Sequence, residues 1–266
     1  MRLSKKCTAE NGQHSCVQGD DVMHRFYADP DLSADSYFIL DPEDTRHAVK
    51  VLRMQCGDQA EIIFGNTRYL SVVEKCSTDH VVLSPVKALP STEPSLSVTL
   101  FQGLPKGDKM DWIVQKAVEI GAVRIVPVSF SRCVVHLNEN DAVKKTARWS
   151  KIAREAGKQS GRCIVPEVLP PVSPEKFSAL LSSCGKVAVP WEECRENGPL
   201  SFFRKHPVLS SLGIVIGPEG GLSPEEIGRM TDAGCEPVTL GKRILRTETA
   251  GLTALSVFLG LYGEME

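Results

Sequence analysis

The residues best placed to do chemistry lie in two short runs near the C-terminal end of the 266-residue chain. In the first, an apolar stretch ending at Ile216 runs into Gly217-Pro218-Glu219-Gly220-Gly221, and Ser223-Pro224-Glu225-Glu226 follows. Glycines directly after a buried strand let backbone approach a flat or charged ligand without a Cβ in the way, and Ser223 with Pro224 reads as a helix cap and first helical position. A tight turn that only joins strand to helix reads the same pattern equally well. In the second run, Val238-Thr239-Leu240-Gly241 leads through Lys242-Arg243-Ile244-Leu245-Arg246 into Thr247-Glu248-Thr249-Ala250-Gly251. Ligands of open α/β sheets collect outside the carboxyl ends of strands, so two neighbouring loops of this kind can share one pocket. Neither loop carries the glycine fingerprint of a dinucleotide site or a phosphate loop.

The elements that must position these runs are readable from the chain's texture. From Leu96 onward, strands at Leu96–Gly103, Arg124–Ser129, Lys186–Pro190, Leu212–Ile216 and Pro237–Leu240 alternate with helices. The helices are predicted at Lys109–Ile120, Asn138–Gln159, Pro174–Ser182, Pro224–Ala233 and Thr247–Leu261, with Gly121, Gly161 and Gly234 at C-terminal cap positions. Alternation of this kind indicates a largely parallel sheet covered on both faces, an α/β unit spanning residues 96–266. From Met23 to Leu89 the pattern is instead of short β-rich pieces, Tyr37–Leu40, Ala60–Phe64, Tyr69–Cys76 and His80–Leu89, with one helix, Asp41–Met54, among them. A small β-barrel buries such strands, and the Pro- and Ser-rich stretch 88–95 reads as the linker. Residues 1–22 are polar, lack the apolar core of a secretory signal, and are expected to be a disordered extension.

Composition narrows the function classes. No run approaches the roughly 20 apolar residues of a membrane span, so no membrane partner is expected. The nine cysteines are scattered, with no C-x-x-C and no Cys/His pair at zinc spacing, which fits free thiols in a reducing cytoplasm and no metal. A net charge of −2 excludes a strongly basic surface overall. Cations are concentrated locally: Lys144, Lys145, Arg148, Lys151, Arg154, Lys158 and Arg162 lie between Ala142 and Arg162 with only Glu155 against them. The stripe suits an RNA-facing surface, or a plain amphipathic helix with Val143, Ala147, Ile152 and Ala156 on its other side.

The strings GPEGGLSPEEI and LGKRILRTETAGLTAL, with LPKGDKMDWIVQKAVEIGA upstream and MHRFY and HAVKVLRM near the start, resemble the ribosomal RNA small-subunit methyltransferase E family, in the same order from Met23 to the C-terminus. The resemblance implies a SPOUT-type α/β domain with a deep trefoil knot behind a PUA-like barrel, a homodimer, and methyl transfer from S-adenosylmethionine to N3 of one uridine in small-subunit ribosomal RNA, free or in the assembled subunit. Carried over by motif, the cofactor pocket comprises Ile216, Gly217, Pro218, Glu219, Gly220, Gly221, Leu240, Gly241, Ile244, Leu245, Arg246, Thr247 and Thr249. Pro190, Trp191 and Glu192 form a third wall by position.

Uridine N3 carries a proton, so its methylation needs a base or stabilisation of the anion that its loss creates. Arg246 could supply the positive charge, or it could pair structurally with Glu248 or Glu219. Glu248 could be the base, bind the cofactor's ribose or amino group, or simply be an acid in a helix's first turn. Within family-matching segments Arg25, His47, Lys50, Arg53 and Arg132 suit RNA contacts, and each also reads as a surface charge. The apolar residues Leu252, Leu255, Val257, Phe258 and Leu259 exceed one buried stripe, which suits a homodimer. The competing readings are a related knotted methyltransferase acting on transfer RNA or another ribosomal site, a non-catalytic RNA-binding assembly protein, and a nucleotide-binding protein without methyl transfer. A labelled-methyl transfer assay separates them.

Overall fold

A computed structural model describes residues 23–265; the expected N-terminal extension, 1–22, lies outside the described residues. Two sheets, each with its own apolar cluster, organise the chain.

The first sheet contains β1 (Arg25–Tyr27), β2 (Phe38–Ile39), β3 (Gln59–Phe64), β4 (Thr67–Cys76) and β5 (Val81–Leu89), in the order β1-β3-β4-β5-β2. Its β3–β4 hairpin turns on Gly65 and Asn66, both at positive φ (56° and 63°), the two-residue geometry that matches strand twist. The sheet curls until its edges meet at an antiparallel bridge between Ala28 and Leu40, around Phe26, Phe38, Ile62, Val73 and Leu83. Where the sequence predicts one helix over Asp41–Met54, the structure has α1 (Pro42–Arg46), capped by the Asp41 carboxylate on the Asp44 N–H, and then a wider π-helical turn, His47–Val51. Arg53 adopts a left-handed backbone (φ 55°), which ends the coil before Met54. Strand β1, only three residues long, is too short for its alternation to show in the sequence.

The second sheet contains β6 (Ser97–Gly103), β7 (Arg124–Val128), β8 (Glu167–Val168), β9 (Lys186–Pro190), β10 (Ser211–Ile216) and β11 (Glu236–Val238). All its pairings are parallel, in the order β11-β9-β10-β6-β7-β8. The chain builds outward from β6 through β7 to β8, then crosses to the other side of β6, where β10 enters between β9 and β6. The carboxyl ends of β6 and β10 therefore flank the switch point at which ligands of such sheets bind. Around the sheet lie α2 (Lys109–Ile120), α3 (Glu139–Ser160), α4 (Pro174–Leu181), α5 (Pro199–Lys205), α6 (Pro224–Asp232) and α7 (Thr247–Leu261). Two-residue β8 and seven-residue α5 are the elements here that the sequence did not reveal, both too short for a periodic signal. Leu255, Phe258 and Leu259 are buried within the chain, so of the apolar residues read as a partner surface only Leu252 and Val257 retain exposure.

The basic stripe of α3 has a use that neither sequence reading anticipated. Lys151 pairs with Glu43 at 2.7 Å, Arg154 with Asp41 and Asp44, and Lys158 with Asp44 at 2.6 Å, so one helix of the parallel unit grips the N-terminal coil of the β-rich unit. Arg154 also lies 5.1 Å above the Tyr27 ring, whose hydroxyl donates to the Ile164 carbonyl. Arg162, 4% exposed, donates to Glu93 in the linker and to the carbonyls of Val118 and Ala122. Arg148 is bound to Asp111 within the parallel unit.

Candidate cofactor and RNA site

At the switch point the ends of β9 and β10 and the segment before α7 enclose a cleft of about 410 Å³, lined by Pro190, Glu192, Ile216 to Leu222, Ile244 to Thr247, Lys109 and Ala250. It adjoins a second recess of about 290 Å³ that shares Pro190, Glu192, Ile244, Leu245 and Ala250 and adds Trp191, Leu240 and Gly241. The structure thus brings together the predicted cofactor residues from three separate stretches of chain. Thr249 is the exception: it is exposed in the first turn of α7 and lines neither recess.

Close packing explains why the first loop is rich in glycine. Gly221 has φ +71°, and a Cβ there would lie 2.7 Å from the Glu192 carboxylate across the cleft. A Cβ on Gly220 would lie 3.0 Å from the Arg132 Cβ and 3.1 Å from its carbonyl oxygen, so this glycine makes room for protein backbone. Gly103, at the end of β6, abuts the loop so closely that a Cβ would come within 2.5 Å of the Pro218 nitrogen. Downstream, Ser223 caps α6 in a reciprocal box: its hydroxyl accepts from the Glu226 N–H at 3.2 Å, and the Glu226 carboxylate accepts from the Ser223 N–H at 2.8 Å.

Side chains lock the loops to one another. The Gln102 amide donates to the Thr247 hydroxyl (2.8 Å), which donates to the Gly217 carbonyl (2.7 Å), joining β6, α7 and the glycine loop. Lys109, the first residue of α2, donates to Glu219 at 2.9 Å and lies 3.3 Å from Glu248. Burial alone would push the Glu219 carboxyl up, but hydrogen bonds from Lys109 and backbone N–H groups hold it below the usual range. The same Glu219 contact holds the Lys109 ammonium above its usual range. Gln102 and Lys109 were not singled out from the sequence. Lys109 lies within the LPKGDKMDWIVQKAVEIGA string, where the pairing of a cation with two distant acids leaves no local spacing to detect.

Arg246 precedes α7, is exposed, lines the cleft and pairs with neither Glu219 nor Glu248, whose partner is Lys109. Ile244 is 87% exposed beside it, an apolar side chain with nothing yet covering it. Arg132 donates to the carbonyls of Gly220 (3.2 Å) and Leu222 (3.4 Å) and so latches the glycine loop. In the β-rich unit, Arg25 is engaged by Glu61 (2.7 Å) and the Lys158 carbonyl (2.6 Å). His47 is exposed at the crevice between the two units, while Lys50 and Arg53 are exposed and form no ion pair among the described residues. Among these residues no helix is long and apolar enough to cross a membrane, and no group of three His, Cys, Asp or Glu could hold a metal.

Comparison with known proteins identifies the family. Residues 92–259 match the RNA methyltransferase domain, and residues 40–86 match the RNA methyltransferase PUA domain. The ribosomal RNA small subunit methyltransferase E of Bacillus subtilis is 40% identical over 82% of this chain and 88% of its own length. That of Mycobacterium tuberculosis is 30% identical over 86% and 88%. The structure of the Neisseria gonorrhoeae enzyme of that name, bound to S-adenosyl methionine, superposes with a TM-score of 0.78 at 32% identity, covering 90% of this chain and 98% of that one. The chain belongs to the ribosomal RNA small subunit methyltransferase E family.

Proposed function

We propose that this protein methylates N3 of one uridine in small-subunit ribosomal RNA, with S-adenosylmethionine as donor. Family membership supplies the reaction class: the chain is an S-adenosylmethionine-dependent ribosomal RNA methyltransferase. The observation that carries the assignment of the site is the cleft at the switch point, where the glycine loop, the end of β9 and Ile244–Thr247 converge.

The cleft fits the cofactor. Backbone N–H and C=O groups of Gly217–Gly221 and Leu240–Leu245 offer hydrogen bonds to an adenine edge, and Leu240, Ile244 and Leu245 can cover its faces. Glu192 and Glu219 suit a ligand with net positive charge. When bound, S-adenosylmethionine presents an electrophilic methyl group on a sulfonium. Arg246 then donates to a uracil carbonyl oxygen as negative charge develops there, and Glu248 accepts the N3 proton. Thr247 holds the start of α7 so that both side chains keep their places.

The resemblance and the strand order, with β10 entering between β9 and β6, support a trefoil knot in the segment from β9 through α7. We divide the chain into a PUA-like RNA-placing domain, 23–89, and the knotted methyltransferase domain, 96–266, acting as a cytoplasmic homodimer. Leu252 and Val257 contribute to the dimer surface. His47, Lys50, Arg53 and Arg132 meet phosphates; Arg25 acts through its neighbours in the crevice. The test combines calorimetry of cofactor binding with transfer of labelled methyl to small subunits from a strain lacking the gene. Cofactor binding without methylation of those subunits would refute the reading.

A further inference from the structure

Next to the cleft, on the solvent side of Lys109, lies a shallow recess lined by Lys109, Trp112 and Glu248. Of these only Lys109 also lines the cofactor cleft, and three features point to a use. Lys109 and Trp112 are one turn apart on the same face of α2, so the indole stands beside the ammonium that borders the cleft. Trp112 is 45% exposed, although the buried face of α2 is already complete with Met110, Ile113, Val114, Ala117 and Val118, so the core does not need it. Glu248 Oε2 is buried without a hydrogen-bond partner: Lys109 Nζ is 3.3 Å away but poorly aligned, its well-formed hydrogen bond going to Glu219. A buried carboxylate oxygen that faces an ammonium but receives no well-formed hydrogen bond is costly unless something completes it.

We propose that this recess is the subsite for the target base, with the uracil ring stacked on Trp112 and its edge read by Lys109, Glu248 and Arg246. The proposal rests on the uridine N3 reading and deepens it. The pairing edge of uracil presents acceptor, donor, acceptor: O4, N3–H and O2. Glu248, with Lys109 on one side and Arg246 two residues before it, presents donor, acceptor, donor. Cytosine, whose N3 is an acceptor beside an amino donor, would set acceptor against Glu248 and donor against a cation. An enzyme that modifies a base must take it out of its stack, and an exposed aromatic face next to the methyl-donor cleft receives it. Lys109 belongs to both recesses, so a base on Trp112 lies against the wall of the cofactor cleft.

The test uses the full chain and small ribosomal subunits from a strain lacking the gene, with single-turnover methylation at saturating cofactor, cofactor calorimetry and sedimentation for each variant. Trp112→Ala is expected to lose about tenfold or more in methylation, the scale of one lost base stack, with cofactor affinity and oligomeric state unchanged. Trp112→Phe keeps a stacking face and is expected to recover most of the rate, and Lys109→Arg is expected to outperform Lys109→Met. Unchanged methylation by Trp112→Ala would overturn the subsite. So would a loss that tracks dissociation in sedimentation, since Trp112 would then cover a second copy of the chain. Wild-type protein that leaves uridine N3 unmethylated would overturn the functional reading itself, an outcome read without any variant.

Discussion

Asp44 and Lys158 meet at 2.6 Å across the junction of the two sheets, with side chains only 6% and 13% exposed. Burial is the main influence on Asp44 and pushes its carboxyl up, while the Lys158 hydrogen bond opposes it. The helix that carries Lys158 thereby fixes the β-rich unit relative to the sheet whose strand ends hold the proposed cofactor cleft.

Truncation at this junction leaves a largely buried ammonium without its closest acid. Asp44→Ala is expected to destabilise the protein by about 2–3 kcal/mol, below the range for a fully buried pair because Glu155 still faces Lys158. Replacing both partners, Asp44→Leu with Lys158→Met, is expected to restore much of that loss, since neither charge is then stranded. Thermal melts of Asp44→Ala, of the singles Asp44→Leu and Lys158→Met, and of the double variant measure it; a double variant as unstable as the sum of Asp44→Leu and Lys158→Met would contradict the argument.

Thr247 joins Gln102 to the Gly217 carbonyl. Thr247→Val removes the hydroxyl at nearly constant volume and leaves buried polar groups short of partners, for an expected cost of about 1–3 kcal/mol. Because the severed links position the glycine loop, calorimetry is expected to show weaker cofactor binding too, with Thr247→Ser close to wild type.

Two glycines of this region should respond in opposite directions. Gly221 has positive φ, and a Cβ there would lie 2.7 Å from the Glu192 carboxylate, so Gly221→Ala is expected to strain the loop and weaken cofactor binding. Gly228 lies inside α6 with open space around it, and Gly228→Ala is expected to stabilise by about 0.5–1 kcal/mol with unchanged binding. Melting temperatures and cofactor affinities of the pair check both signs.

Much of this site was legible because it is continuous in sequence: Gly217–Gly221 and Ile244–Thr247 follow strands and precede helices, and the Ser223 cap shows in its residue types. The locks were not legible. Gln102 and Thr247, or Lys109 and the two acids it touches, come from separate stretches that only the crossing order of the sheet brings together. The same holds for α3, where a basic stripe suggests RNA until Asp41, Glu43 and Asp44 are found facing it. Gly220 lines the cleft and also makes space for the backbone of Arg132, a contact that its place in the glycine run does not reveal.

Positioning of the RNA and the methylation chemistry should separate by domain. Arg53→Ala is expected to weaken RNA binding in a salt-dependent way and leave cofactor affinity unchanged. Arg246→Ala is expected to lose turnover by about a hundredfold or more with little change in RNA affinity, because a charge aimed at a developing anion acts mainly in the transition state. Binding isotherms at two salt concentrations alongside single-turnover rates resolve the two effects.

The central claim is tested most directly by mapping N3-methylated uridines in small-subunit ribosomal RNA from cells with the gene, without it, and with the gene restored as wild type or Arg246→Ala. One N3-methyluridine is expected to vanish on deletion, return with the wild-type gene and stay absent or nearly so with Arg246→Ala. An unchanged set of N3-methyluridines in the deletion strain would contradict the account.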